Sequence, residues 1–247
     1  MFFFQESLMC DCSSFAHSPQ FNRRRLLFGA AAIAAAGASG WLGDAQAAVP
    51  TNDIGPDEAL KRLMAGNARY AANKPNMRDY SAGRAARAVK QKPIAAILGC
   101  SDSRVAPELA FDQGPGDLFI VRVAGNFVNE DGLASLEYGT LVLRAPLIVV
   151  LGHDNCGAVD ATVKAWQDKT EFPGHLPALV NAIKPAVEIA SKSGARDLMS
   201  AAVQANVRLA VERLKTAQPL LQEMVQQKKL GVVGGVYSLA TGKVTLV

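Results

Sequence analysis

The chain has 247 residues, 49% of them hydrophobic and 19% charged, with a formal net charge of +4. That length and apolar content suffice to bury a full core, and the small basic excess, with no interleaving of basic and aromatic residues, leaves no footprint of a nucleic-acid binder. The excess does not come from the amino terminus, where Arg23, Arg24 and Arg25 are balanced by Glu6, Asp11 and Asp44.

Residues 1–47 read as an address rather than as part of the fold. Asn22-Arg23-Arg24-Arg25-Leu26-Leu27 sets consecutive arginines before an apolar, alanine-rich stretch that ends at Trp41, and Ala45-Gln46-Ala47 offers small residues at both cleavage-determining positions. The pattern resembles a twin-arginine signal peptide, which implies the export machinery as a partner, cleavage after Ala47 and a periplasmic or otherwise exported protein. The apolar stretch is short and weak beside the roughly 20 residues of a membrane span, with an uncleaved anchor as the alternative outcome. Such a route carries folded proteins, so a metal would be loaded before export. Cys10 and Cys12 fall in the segment to be removed and carry no expectation for the mature protein.

Residues 48–247 suit one domain. Pro56 opens a helix whose Leu60, Leu63, Met64 and Tyr70 share a face and which ends around residues 73–75, an amino-terminal arm ahead of a sheet. Residues 76–92 are polar and arginine-rich, a connection or a short helix. Apolar runs at 94–99, 118–123 and 147–151 read as buried parallel strands, with a helix over 133–144 before the last. A long helix over 196–216 presents Val203, Val207, Ala210, Val211 and Leu214 at helical spacing, a stripe explained by packing alone. A strand over 231–237, a turn at Ala240-Thr241-Gly242 and a short edge strand over 243–247 close the chain. The expected fold is α/β: a mostly parallel sheet of four to five strands flanked by helices.

Two of those strands end in chemistry. Cys100-Ser101-Asp102-Ser103-Arg104 follows the first, and His153-Asp154-Asn155-Cys156-Gly157 follows the third, at the carboxyl ends where open α/β sheets place their sites. Cys100, His153 and Cys156 supply two thiolates and one imidazole, the three-ligand set of a catalytic zinc whose fourth position is left open. The competing possibilities are small buried cysteines and a Cys100–Cys156 disulfide, which an exported protein permits. The disulfide would leave His153, Asp102 and Arg104 unexplained. Arg104 lies two residues beyond Asp102, close enough to grip its carboxylate with two hydrogen bonds. An aspartate so held accepts only, and could take a hydrogen bond from zinc-bound hydroxide and orient it; the plain alternative is a loop ion pair. Two thiolates already neutralise the zinc charge, so activity should rise into alkaline pH.

Taken together these blocks resemble the β-class carbonic anhydrases. Gly99 to Val105 with Pro107-Glu108, Gly116-Asp117-Leu118-Phe119 leading into Arg122-Val123-Ala124-Gly125-Asn126, Glu137-Tyr138, and Gly152 to Gly157 follow that family in order and spacing, as does Leu63-Met64-Ala65-Gly66-Asn67-Ala68-Arg69-Tyr70. The resemblance implies reversible hydration of carbon dioxide to bicarbonate, one zinc per subunit on Cys100, His153 and Cys156, and an Asp102–Arg104 dyad. It implies Gln91 as a substrate-binding amide contributed by a neighbouring subunit, Phe119, Ala124 and Tyr138 as an apolar substrate pocket, and a homodimer or larger homo-oligomer. Val123 departs from the asparagine of many members.

Some members close the site by placing the aspartate on zinc as a fourth ligand, coupled to a bicarbonate pocket of tryptophan, arginine and tyrosine. Arg122 and Tyr237 match the last two, but Ile97 stands at the tryptophan position, so the open state is expected here. Two other functions fit the same ligands: hydrolysis of carbon disulfide or carbonyl sulfide, and a non-catalytic zinc-binding module, the latter opposed by the presence of both Asp102 and Arg104. His175, beside Pro173-Gly174, reads as a solvated loop residue.

Overall fold

The computed structural model describes residues 54–247, so the signal-peptide reading of residues 1–47 lies outside the described residues. Five strands, β1 (Ala95–Gly99), β2 (Leu118–Arg122), β3 (Leu147–His153), β4 (Gly231–Tyr237) and β5 (Val244–Leu246), form one sheet in the order β2-β1-β3-β4-β5. The first four run parallel and β5 pairs antiparallel to β4 at the edge. Every residue of β1 and β3 is buried, which is why their sequences are continuous apolar runs rather than alternations.

The side chains of each strand alternate between two packed faces. Ala96, Leu98, Ile148 and Val150 meet Val207, Val211 and Leu214 on one face; Ala95, Ile97, Val149 and Leu151 meet Ala59, Leu63 and Phe111 on the other. The helices are α1 (Pro56–Ala71), α2 (Arg84–Val89), α3 (Pro107–Ala110), α4 (Glu130–Glu137), α5 (Gly157–Gln167), α6 (Leu176–Lys192), α7 (Leu198–Lys215) and α8 (Leu220–Gln226). No helix among the described residues is long and apolar enough to cross a membrane.

Helix α1 begins at Pro56, whose fixed φ suits the first helical position, and carries Asp57 and Glu58 against the positive end of the helix dipole. Gly66 is required by a close approach, since a Cβ there would lie 1.8 Å from the Phe111 carbonyl oxygen. Its neighbour Asn67 donates to the carbonyls of Ala110 and Gly242 and accepts from the Val244 amide, each at 2.8 Å, so one buried side chain ties α1 to the end of α3 and to β5.

The helix expected over 133–144 starts earlier, at Glu130, because the Asn129 side chain caps it by accepting from the Gly132 amide; it then widens into one π-helical turn over Tyr138–Val142. Strand β3 runs two residues beyond the expected 151. His153 is therefore the last residue of a strand rather than part of a loop.

Candidate metal centre

Strands β1 and β3 are neighbours, with Gly99 opposite Leu151, so whatever follows β1 and whatever ends β3 must meet. Cys100 is the first residue past β1, His153 the last of β3, and Cys156 sits immediately ahead of α5. All three are buried, and their ligand atoms lie within 4.8 Å of one another. The two sulfurs are 4.0 Å apart and both cysteines are free, which removes the disulfide alternative, since a bridged pair stands at about 2.05 Å. Sulfurs each about 2.3 Å from one tetrahedral zinc would stand about 3.8 Å apart, close to the spacing here.

The imidazole is set for the same ion. Nδ1 of His153 donates to the Asp154 carbonyl at 2.7 Å, which leaves Nε2 as the acceptor nitrogen, buried and with no hydrogen-bond partner. A buried lone pair without a partner is costly unless something binds it. The Asp154 peptide is itself anchored: its amide donates to the Tyr237 carbonyl at 3.0 Å, and Oδ1 accepts from the Leu239 amide at 2.9 Å.

The sulfurs are electrostatically unequal. Cys100 is held far below the usual thiol range, to about 4, by the hydrogen bond from Cys156, against the cost of burial and with help from His153 and from the Gly125 amide, whose nitrogen is 3.2 Å from Sγ. Donating that bond, together with burial, pushes Cys156 up. Burial would lower His153, but the Cys100 sulfur and the Asp154 carbonyl outweigh it and the net shift is upward. Without a metal, one proton serves two sulfurs; a divalent cation would take over the proton's task and leave both as thiolates.

Asp102 and Arg104 form the expected clamp. Arg104 Nε donates to Oδ1 at 2.9 Å, Nη2 to Oδ2 at 2.7 Å, and the Arg104 amide also donates to Oδ1. The guanidinium holds the carboxyl well below the usual carboxylate range, against the opposing effect of burial. Oδ2 lies 3.7 Å from His153 Nε2, so the clamped carboxylate borders the three ligands. Arg104 Nη2 also reaches the Asn155 carbonyl at 3.3 Å, linking the two ligand segments.

Arg122, at the end of β2, donates through Nε to the Cys100 carbonyl and through Nη2 to those of Asp102 and Val105. These bonds fix the backbone of the Cys100–Val105 loop. Tyr237 is buried with its hydroxyl 3.2 Å from that of Tyr70, and burial pushes it up to about 12. Ile97 is buried among Ala95, Leu118 and Leu147. The three positions matched to a bicarbonate pocket are thus occupied with backbone, tyrosine and core contacts respectively.

Phe119 and Tyr138 are brought together, ring centroids 6.2 Å apart, with Tyr138 half exposed. Ala124 sits in the turn whose next residue, Gly125, donates to Cys100. Gln91 is exposed and precedes β1, whereas Cys100 follows it. His175 is exposed at the start of α6, away from the ligand cluster.

The carbonic anhydrase family model matches residues 95–244. Carbonic anhydrase 2 of Mycobacterium tuberculosis is 40% identical over 192 residues, covering 77% of this chain and 92% of that protein. The carbonic anhydrase of Mycolicibacterium smegmatis is 39% identical over 193 residues, covering 77% and 93%. Among solved structures, the Coccomyxa β-carbonic anhydrase in complex with acetazolamide superposes with a TM-score of 0.59 at 28% identity, over 77% of this chain and 82% of that one. The β-carbonic anhydrase CcaA gives 0.57 at 27%, over 76% and 94%. The chain belongs to the β-class carbonic anhydrases.

Some contacts at the site were not legible in advance. Asp154 and Arg122 act on the ligand segments through backbone groups, and Asn206, within the apolar stripe of α7, is buried and donates to the Gly125 carbonyl at 2.7 Å. The stripe does carry a signal, an amide at position 206 between Val203 and Val207 where the pattern asks for an apolar side chain.

Proposed function

We propose that this enzyme hydrates carbon dioxide reversibly to bicarbonate and a proton, using one zinc ion per subunit held by Cys100 Sγ, His153 Nε2 and Cys156 Sγ. The observation that carries the reading is the orphaned His153 Nε2 beside two free thiols 4.0 Å apart, with a clamped carboxylate at the rim. When bound, zinc would supply hydroxide as nucleophile near neutral pH.

Asp102 Oδ2 then has one task. Held by Arg104 and kept ionised, it only accepts, so it takes the hydrogen bond of the attacking O–H and turns that oxygen's lone pair toward the carbon. Arg104 fixes where Asp102 points and, through the Asn155 carbonyl, keeps the dyad in register with the His153–Cys156 segment. Phe119, Ala124 and Tyr138 would line an apolar approach for an uncharged gas.

Gln91 would donate to a bicarbonate oxygen of the neighbouring subunit's site, which makes the working unit a homodimer or a larger assembly of dimers. The exposed Met77, Tyr80 and Val89, in the segment of chain ahead of Gln91, and Leu141 and Val142, shortly after Tyr138, are apolar side chains such an assembly would cover. The resting site would be open, with Asp102 retained by Arg104 rather than given over to the metal. Residues 1–47 direct export and are removed, leaving residues 48–247 as the exported enzyme.

The direct test is metal analysis of the purified protein alongside a carbon dioxide hydration assay, with carbon disulfide and carbonyl sulfide as control substrates. Stoichiometric zinc with hydration activity is the expected result. Zinc without turnover, or turnover of the sulfur compounds alone, would replace the reading. Amino-terminal sequencing of the native protein should begin near Ala48; an intact Met1 in the cytosolic fraction would overturn the export proposal.

A further inference from the structure

We propose that Asn206 of α7 is a positioning residue for the metal centre, holding the Gly125 amide on the Cys100 sulfur. The inference rests on the reading of Cys100 as a zinc ligand and adds to it a side chain that lies on another element, 106 positions along the chain by the residue numbers.

The geometry is a clamp around one residue. Val123 donates to the Gly99 carbonyl at 3.1 Å, Asn126 donates back to the Val123 carbonyl at 2.9 Å, and the tight turn so formed aims the Gly125 N–H at Cys100 Sγ, 3.2 Å away. Gly125 has φ +83°, and a Cβ on it would lie 2.5 Å from Ile183 Cδ1 and 3.1 Å from Ala158 Cβ, so only glycine fits. Glycine also leaves its own torsions loose. The peptide that follows it is held at both polar groups, the Asn126 N–H on the Val123 carbonyl and the Gly125 carbonyl by Asn206 Nδ2 at 2.7 Å, and with that peptide fixed the Gly125 N–H keeps its aim.

Both groups are buried, so the carbonyl has no water to fall back on. Helix α7 is in turn fixed by its packing on β3 and β4, through Val207 and Val211. A thiolate that accepts an N–H bond donates less charge to its metal, and the direction of that bond sets the sulfur's orientation. Partners one shell out from a ligand commonly change metal affinity by about 10- to 100-fold. The packing alternative is that Asn206 merely satisfies a buried carbonyl, with no consequence at the metal.

The test uses the full holoenzyme loaded with zinc, and separately with cadmium-113, in three forms: unaltered, Asn206→Ala, and Leu214→Ala, a buried residue two turns further along α7 that touches the core but not Gly125. In the cadmium protein, a scalar coupling between the metal and the Gly125 amide proton reports the N–H···S bond directly. We expect that coupling in the unaltered protein and in Leu214→Ala, its loss in Asn206→Ala, and zinc binding about 10- to 100-fold weaker in Asn206→Ala alone.

An Asn206→Ala protein with coupling and zinc affinity intact would overturn the proposal, as would equal losses in both variants. Should Asn206→Ala not fold, the unaltered protein decides: absence of the Gly125 coupling would show that no such bond is there to be held. Failure of the unaltered protein to bind zinc or cadmium would instead remove the zinc-site reading itself, a distinguishable result.

Discussion

At the end of β3 the ligand is still part of the strand: His153 is fully buried, and the following peptide is pinned by Tyr237 and Leu239. At the end of β1 the chain has already left the sheet. Cys100 is buried, but Ser101, Ser103 and Arg104 are exposed, and the loop keeps its shape through Arg122 and the Asp102–Arg104 pair. The contrast separates two tasks within one site. On the proposed reading, the buried side chains of both strand ends would fix where a metal sits, whereas the exposed part of the loop would fix what is presented to the incoming substrate. Damage to the first should cost the metal, and damage to the second should cost the chemistry with the metal retained.

The largest effects should come from the ligands. Cys100→Ser, His153→Ala and Cys156→Ser should each lose zinc and nearly all hydration activity, since a three-ligand site cannot spare one. Stoichiometric zinc and full activity in any of them would strike that residue from the set. Next comes the exposed half of the comparison. Asp102→Asn should keep zinc by metal analysis yet lower kcat by about 100-fold or more, because an amide no longer acts as a pure acceptor. Loss of metal in this variant would erase the division between the buried ligands and the exposed dyad.

A smaller effect should follow at Asp154. Removing its Oδ1 in Asp154→Ala frees the Leu239 amide and loosens the carbonyl that orients His153, weakening zinc binding by about 10-fold in a chelator competition, while Asp154→Asn, which keeps an acceptor oxygen, should stay near the unaltered value. Equal losses in the two would point to the charge rather than the hydrogen bond.

The smallest expected effect is a slope. Asp102 is depressed by Arg104, so what the pair contributes is present above the ordinary carboxylate value of about 3.9 and is lost only as pH falls through the depressed one. Down to pH 5 the dyad therefore stays ionised, and the pH–rate profile should show a single proton, rising toward alkaline pH. A steeper, bicarbonate-sensitive profile would mean that Asp102 exchanges Arg104 for zinc, the closed state.

The clustering of Cys100, His153 and Cys156 and the Asp102–Arg104 pair were legible because each segment follows an apolar run too continuous to be anything but a buried strand, and parallel neighbours bring their carboxyl ends together. Helices were less so. Helix α6 carries Pro185 in its interior and α5 starts directly after Cys156, which offers no side-chain cap, so the usual boundary signals are missing or misleading. Strand β3 outran its apolar stretch because Gly152 and His153 continue the ladder against Val236 and Tyr237 on a strand far away in sequence. The roles of Arg122, Asp154 and Asn206 escaped for a related reason. They act on backbone groups whose positions depend on turns and on long-range packing, and an isolated polar residue carries no mark of the carbonyl or amide it will meet.

The division of labour between the buried ligands and the exposed dyad is most directly tested by a crystal structure of the zinc-loaded protein near neutral pH, with the metal located from its anomalous scattering. The account predicts one zinc per subunit bound by Cys100 Sγ and Cys156 Sγ at about 2.3 Å and by His153 Nε2 at about 2.0 Å, with a water fourth and Asp102 still paired to Arg104. A Cys100–Cys156 disulfide, or zinc bound elsewhere, would contradict the site itself; an Asp102 oxygen in the fourth position would contradict the claim that the exposed loop keeps its carboxylate for the substrate.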